Sequence, residues 1–169
     1  MIPSTLKNFN IFINGTSYVG EAEEITPPKL TRITEDYRAG GMHGPVELDL
    51  GQDKLEMEVT FKGWNKELLK HYGAFAADAV PLRFRGAARS EAGDVATDAI
   101  EISVRGRLKE LDFGSAKTGE ANSLKVMIPL TAFKYEVNGY EIIDIDQINM
   151  IFRVNGVDLL AEERQALGI

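Results

Sequence analysis

Between Lys54 and Lys62 every second residue is apolar: Leu55, Met57, Val59 and Phe61 alternate with Glu56, Glu58 and Thr60. A strand turns successive side chains to opposite faces, so this period of two commits the segment to a half-buried strand and excludes an amphipathic helix. Ile100, Ile102, Val104 and Leu108 repeat the pattern against Glu101, Ser103, Arg105, Arg107 and Lys109, and Leu82 and Phe84 do so against Arg83 and Arg85 in a shorter strand. From Leu124 to Val137 the apolar phase runs through Leu124, Val126, Ile128 and Leu130, then moves by one residue to Phe133, Tyr135 and Val137. A one-residue slip would turn every later side chain to the wrong face, which predicts a β-bulge between Pro129 and Ala132.

Turn signals punctuate these strands. Asn14-Gly15 joins Phe9–Ile13 to Thr16–Val19, and Asn138-Gly139 leads into Tyr140–Asp144. Both are hairpin turns, because a type I′ turn needs positive φ at its two central residues. Asn14-Gly15-Thr16 also spells a glycosylation triplet, but Met1 to Thr5 has neither the basic nor the apolar stretch of a secretory leader, and the turn reading is kept. A last strand, Asn149 to Val154, runs into Asn155-Gly156. Trp64, Leu68 and Tyr72 recur at helical spacing, which predicts a helix over Asn65–Tyr72 packed on the body through those three side chains, with Gly73 as its stop. Asp158 is the expected N-cap of a terminal helix over Leu159–Leu167, closed by Gly168. The sum is a single domain over residues 1–169, mainly β: a β-sandwich or rolled barrel with one packed α-helix and a short C-terminal helix. The polar stretches Ala87–Thr97 and Phe113–Asn122 read as surface loops.

One segment breaks the regular pattern. Tyr37-Arg38-Ala39-Gly40-Gly41-Met42-His43-Gly44-Pro45 packs three glycines and a proline into nine residues, too many for a helix or a central strand. It is expected to project. Tyr37, Arg38 and Met42 are anchor-type side chains rather than loop filler, so Tyr37, Arg38, Ala39, Gly40, Gly41, Met42, His43, Gly44 and Pro45 are candidates for contact with another subunit. Gly41-Met42-His43-Gly44 also matches the GxxG of an RNA-binding KH loop, but that loop sits between helices. Here Thr31–Arg38 and Pro45–Leu50 read as extended.

Composition narrows the chemistry. The 169-residue chain has a net charge of −7 and a pI near 4.9. A protein that grips nucleic acid does so by neutralising phosphates with Lys and Arg, so the balance argues against that role. The chain has no cysteine and two histidines, which leaves no disulfide, no thiolate site and little material for a histidine metal centre. His43 reads as a loop residue and His71 as an exposed helix residue, neither with a nucleophile or acid at a recognisable spacing. Asp144 and Asp146 share a strand face but lack a third ligand for a hard cation. Glu56 and Glu58 share another, flanked by lysines, and fit a cross-strand charge lattice better than an acid/base pair. Arg83, Arg85, Arg89, Arg105 and Arg107 read as an interleaved Arg/Glu sheet face, or as a seam of charge pairs between subunits. No enzyme, metal or cofactor is expected, and no apolar run is long enough to span a membrane.

Several blocks together resemble one family. They are the opening Met1-Ile2-Pro3, Tyr37-Arg38-Ala39-Gly40-Gly41-Met42 with Pro45-Val46, Phe84-Arg85-Gly86, and Arg105-Gly106 leading to Leu108-Lys109-Glu110. Lys117, Gly119 and Glu120 follow, then Ile143-Asp144-Ile145-Asp146, Val154-Asn155-Gly156-Val157-Asp158 and Leu167-Gly168. Together they resemble the major tail tube proteins of P2-type contractile phage tails and the similar tube proteins of R-type pyocins. The resemblance implies a structural protein without enzymatic activity or cofactor, whose β-sheets join between subunits in hexameric rings stacked into a hollow tube. Such a tube is a conduit for DNA in a phage or for ions in a bacteriocin. It implies assembly in the bacterial cytoplasm into a virion tail or bacteriocin particle, with tail sheath, baseplate and tape-measure proteins as partners.

A net acidic or neutral lumen would let DNA pass without sticking, and the polar positions of the long strands, Glu56, Glu58, Arg105 and Arg107 among them, are the lumen candidates. A competing expectation is a monomeric β-sandwich module that holds a ligand or carbohydrate in the Tyr37–Met42 loop.

Overall fold

The computed structural model describes residues 2–93 and 96–169; Met1, and Asp94 and Val95 of the polar stretch, lie outside the described residues. The chain opens with β1 (Ser4–Ile13), which turns at Asn14-Gly15 into the short β2 (Thr16–Ser17). Both turn residues have positive φ, 50° and 81°, as a type I′ turn requires. β3 (Ala22–Thr26) follows, then a separate hairpin of β4 (Arg32–Tyr37) and β5 (Val46–Gln52), then β6 (Leu55–Lys62). After helix α1 (Lys66–Lys70) come β7 (Val80–Ser90), β8 (Asp98–Gly106), β9 (Glu110–Asp112) and the fifteen-residue β10 (Ser123–Val137). The chain closes with β11 (Tyr140–Asp146), β12 (Ile151–Val154), β13 (Val157–Asp158) and helix α2 (Ala161–Leu167).

Eleven strands form one antiparallel sheet that folds over itself at β10. Ser123 to Leu130 of β10 pair with β6, whereas Leu130 to Val137 pair with β8. One wing therefore runs β3-β6-β10-β9 and the other β13-β12-β11-β10-β8-β7-β1-β2. The register shifts between Leu130 and Ala132, inside the span where the change of apolar phase predicts a bulge. Gly106 lies at this corner. A Cβ on Gly106 would sit 2.3 Å from the Pro129 carbonyl oxygen, so only glycine lets the two backbones approach this closely. The inward residues of both wings share one core, in which Leu55, Met57, Val59 and Phe61 of β6 meet Ile11, Leu82, Val104 and Ile145 of the opposite wing.

The structure departs from the sequence expectations in three places. β7 is eleven residues long and reaches Ser90, so Ala87 to Ser90 are strand rather than loop. The small residues Gly86, Ala87 and Ala88 weaken the apolar alternation there, yet they pair with both β1 and β8. The first helix covers fewer residues than expected: Asn65 caps it, its side-chain oxygen accepting from the Glu67 and Leu68 amides at 2.9 and 3.4 Å, and a 3-10 turn takes over at His71. Trp64 therefore precedes the helix and Tyr72 follows it.

Only Leu68 of the three expected anchors is fully buried, while Trp64 and Tyr72 are 44% and 54% exposed. Trp64 instead lies edge-on to Phe113 with centroids 5.6 Å apart, and its indole N–H donates to the Phe113 carbonyl at 3.3 Å. His71 is half-buried rather than exposed. We expect Leu68→Ala to cost about 2–5 kcal/mol, as for other buried leucines, and Trp64→Ala clearly less; chemical denaturation midpoints of the two variants check the order.

The terminal helix is the third departure. Leu160, not Asp158, holds the cap position; the Asp158 carboxylate accepts the Leu160 amide at 3.1 Å and binds the Arg164 guanidinium. That guanidinium keeps the Asp158 carboxyl below the usual carboxylate range. Gly168 ends the helix in the left-handed region at φ 76°, as expected. No helix among the described residues is long and apolar enough to cross a membrane.

Candidate functional site

β4 and β5 hydrogen-bond to each other and to no body strand. Directly opposed residues of an antiparallel pair share a face. Tyr37 opposes Val46, Glu35 opposes Leu48 and Ile33 opposes Gly51, so Ile33, Tyr37, Val46 and Leu48 lie on one side of the ribbon with Glu35 as the one charge among them. Thr34 opposes Asp49 and Asp36 opposes Glu47 on the other. The arm thus has an apolar face and an acidic face, and Ile33, Tyr37, Val46, Leu48 and Leu50 are all exposed. A lone two-stranded hairpin is only marginally stable in water, and the like charges of Asp36 and Glu47 directly across from each other weaken this one further. Among the described residues, none covers the apolar face fully.

The loop that caps this arm has a fold of its own. The Met42 amide donates to the Ala39 carbonyl at 3.2 Å, Arg38 Nε donates to the Met42 carbonyl at 3.4 Å, and Gly41 takes a φ of 85°. Arg38 is thus tied to its own loop, and Met42 and Gly44 are half-buried, while Tyr37, Ala39, Gly40, Gly41, His43 and Pro45 stay exposed. Strands flank the Gly41–Gly44 stretch on both sides, which rules out a KH loop. The apolar face behind the tip leaves its own mark in the sequence. The alternation of Val46, Leu48 and Leu50 with Glu47 and Asp49 was the signal.

The four other singled-out residues fall into two settings. Glu56 takes Lys54 at 3.3 Å and Lys109 at 3.7 Å, and Glu58 takes Lys125 at 3.6 Å, a cross-strand lattice on β6, β10 and the segment entering β9. Arg107 donates to the Phe75 carbonyl at 2.7 Å and Arg105 to the Asp78 carbonyl at 3.4 Å, so both hold the backbone of the 74–79 loop. Among the described residues no ion pair joins these arginines to those glutamates.

A second lattice covers the outer face of the other wing: Arg83 with Glu101, Lys134 with Glu136 and Glu141, and Arg153 with Glu141 and Asp144. Burial and the nearby Glu141 push the Asp144 carboxyl up, and the Glu136 hydrogen bond raises the Lys134 ammonium. Arg85 and Arg89 remain exposed beside this lattice. Asp146 is occupied by a turn, accepting from the Ile148 and Asn149 amides at 3.0 and 3.1 Å. Among the described residues no group of three or more His, Asp or Glu is placed to hold a metal ion. An open groove of about 540 Å³ runs over this face past Phe12, Arg83, Lys134 and Asp144, lined by paired charges rather than a reactive constellation.

The site offers surface ion pairs and an exposed apolar arm, and the likeness to known proteins says what kind of chain carries them. The chain belongs to the phage tail tube protein FII family, whose model matches residues 3–168. It is 44% identical over 172 aligned residues to the tail tube protein of Escherichia phage P2, covering 99% of each chain. It is 35% identical to the major tail tube protein of Serratia phage KSP20, covering 99% of this chain and 98% of that one. The fold is similar to that of the PVC sheath/tube terminator of an extracellular contractile injection system in its extended state, with a TM-score of 0.58 at 9% identity over 76% of this chain and 92% of that one. It is also similar to a chain of the PVC sheath-tube complex in the extended state, with a TM-score of 0.56 at 9% identity over 76% of this chain and 87% of that one. The protein is a structural component of a phage tail tube, and the ligand-binding module is set aside.

Proposed function

We propose that this chain assembles into hexameric rings that stack into the inner tube of a contractile tail, a mechanical conduit without catalysis or cofactor. The observation that carries the reading is the arm: an exposed ribbon with Ile33, Tyr37, Val46 and Leu48 on one face, which a single chain leaves in water. Covering the half of each such side chain that is still exposed contributes about 1 kcal/mol apiece, so a second copy seated on the arm accounts for a surface that is otherwise a liability. The loop Tyr37–Pro45 at its tip then reaches the next subunit, and joining sheets around the ring covers the strand edges that β2, β3, β9 and β13 leave open.

Tail sheath, baseplate and tape-measure proteins are the proposed partners, and assembly takes place in the bacterial cytoplasm. Charge supports passage of DNA rather than capture. Each copy carries −7, an excess of acid that favours a neutral or acidic wall, while Glu56 and Glu58 are matched by Lys54, Lys109 and Lys125 and add none of that excess. Arg105 and Arg107 each bind a backbone carbonyl and, among the described residues, pair with no acid, so they keep their positive charge and a wall they lined would need acid from other positions to stay neutral.

Negative-stain microscopy and DNA retention on the purified chain test this reading. Rings or tubes that leave duplex DNA in the flow-through at low salt are expected. A protein that stays monomeric at high concentration, or tubes that retain DNA in a strongly salt-dependent way, would contradict it.

A further inference from the structure

The arm is joined to the body by two short connections, Pro27-Pro28-Lys29-Leu30-Thr31 and Asp53-Lys54, and shares no strand ladder with it. A ribbon held only at its root can swing, and an arm that samples many directions meets its docking site less often in the right one. At the root, one side chain bridges arm and body. The Arg32 guanidinium lies over the Phe152 ring of β12, 5.0 Å from its centroid. Its Nε donates to both carboxylate oxygens of Asp49, at 3.2 and 2.9 Å. Asp49 in turn accepts the Gly51 amide at 2.9 Å. This is the point where the β4–β5 register slips between Ile33 and Thr34 and where Gly51 takes a φ of 125°. The bulge bends the ribbon. The Arg32 guanidinium therefore ties the bend of the arm to the body of the subunit, across a groove where Leu50 and Gln52 face Met150 and Leu160.

We propose that Arg32 is a positioning residue, a latch between Phe152 and Asp49 that fixes the arm's angle before another copy arrives. The inference rests on the reading of the arm as the contact between copies. The residue type matters, because a planar guanidinium stacks on a ring and grips a carboxylate at once, whereas an ammonium offers a point charge. Holding the arm in its docking direction removes an ordering cost from each addition. If the free arm occupies that direction about a tenth of the time, the apparent affinity falls about tenfold.

The chain has no cysteine, so spin labels at Glu47→Cys on the arm and Arg89→Cys on the body report the arm's direction in dilute, unassembled protein. The parent should give one narrow distance distribution. Arg32→Ala, Arg32→Lys and Phe152→Leu should each broaden it. In the cysteine-free chain the same substitutions should raise the concentration at which tubes appear about tenfold, with tubes of unchanged diameter above it. A distribution that stays narrow in Arg32→Ala, or a broadened one with an unchanged onset concentration, overturns the latch. Failure of the arm reading itself looks different: a chain lacking Arg38–Gly44 would polymerise normally whatever the distances show.

Discussion

Replacing Leu48 and Leu50 together by Asp should abolish tube formation while leaving the melting temperature of the unassembled chain almost unchanged. Both side chains are exposed in the single chain, Leu50 at 57%, so the core loses nothing. In an assembly the same side chains would lie under a neighbour, where each, being already about half covered, forfeits about 1 kcal/mol of apolar burial and adds an unpaired carboxylate that resists desolvation at a larger cost. Every copy carries the lesion, so the loss recurs at each addition. Deletion of Arg38–Gly44 should have the same consequence through loss of the tip. Sedimentation and microscopy read the assembly, and calorimetry reads the body. Tubes formed by either variant at the parent's onset concentration would refute the assignment of the arm.

The second large effect belongs to the body. Gly106→Ala should destabilise the chain by about 3 kcal/mol, the upper end of what one forced methyl group costs in a packed site. Its Cβ would meet the Pro129 carbonyl at 2.3 Å, with Ile128 and Leu130 side-chain atoms at 3.1 Å, so the backbone at the corner of β10 has to move. That corner carries the chain from one wing to the other. Gly73→Ala is the control, because nothing lies within 4 Å of the added methyl and its φ is ordinary. A Gly106→Ala melt that matches the control would show that the corner is looser than the geometry implies.

How much of this was legible in the sequence differs from element to element. β6 and β8 stood out because one face of each is buried and the other charged, which imprints strict alternation. The β10 corner was legible as a phase change, since a bulge leaves that mark. Asn14-Gly15 and Asn138-Gly139 announced their hairpins by the backbone they demand. The far end of β7 was hidden, because Gly86 and the alanines after it pack by being small rather than by being apolar and large. The first helix was overread: spacing alone cannot tell that Asn65 starts it after Trp64 and that a 3-10 turn ends it before Tyr72.

The proposed contact surface was legible in part. The glycines and proline of Tyr37–Pro45 marked a projecting tip, but Arg38 is turned back onto its own loop. The apolar face of the arm lay in the alternation from Val46 to Leu50, beside the feature that drew attention. Arg105 and Arg107 alternate with apolar neighbours, but their bonds to the 74–79 loop join residues about thirty positions apart and leave no mark in that alternation. The Arg32–Phe152 bridge joins residues far apart in the sequence, and no periodicity could indicate it.

The most direct test of the central claim is a high-resolution image of the assembled protein. The account predicts stacked rings in which Ile33, Tyr37, Val46, Leu48 and Leu50 of each copy are buried against another copy. Tubes in which those side chains stay in water, with the arm touching no other copy, would contradict it.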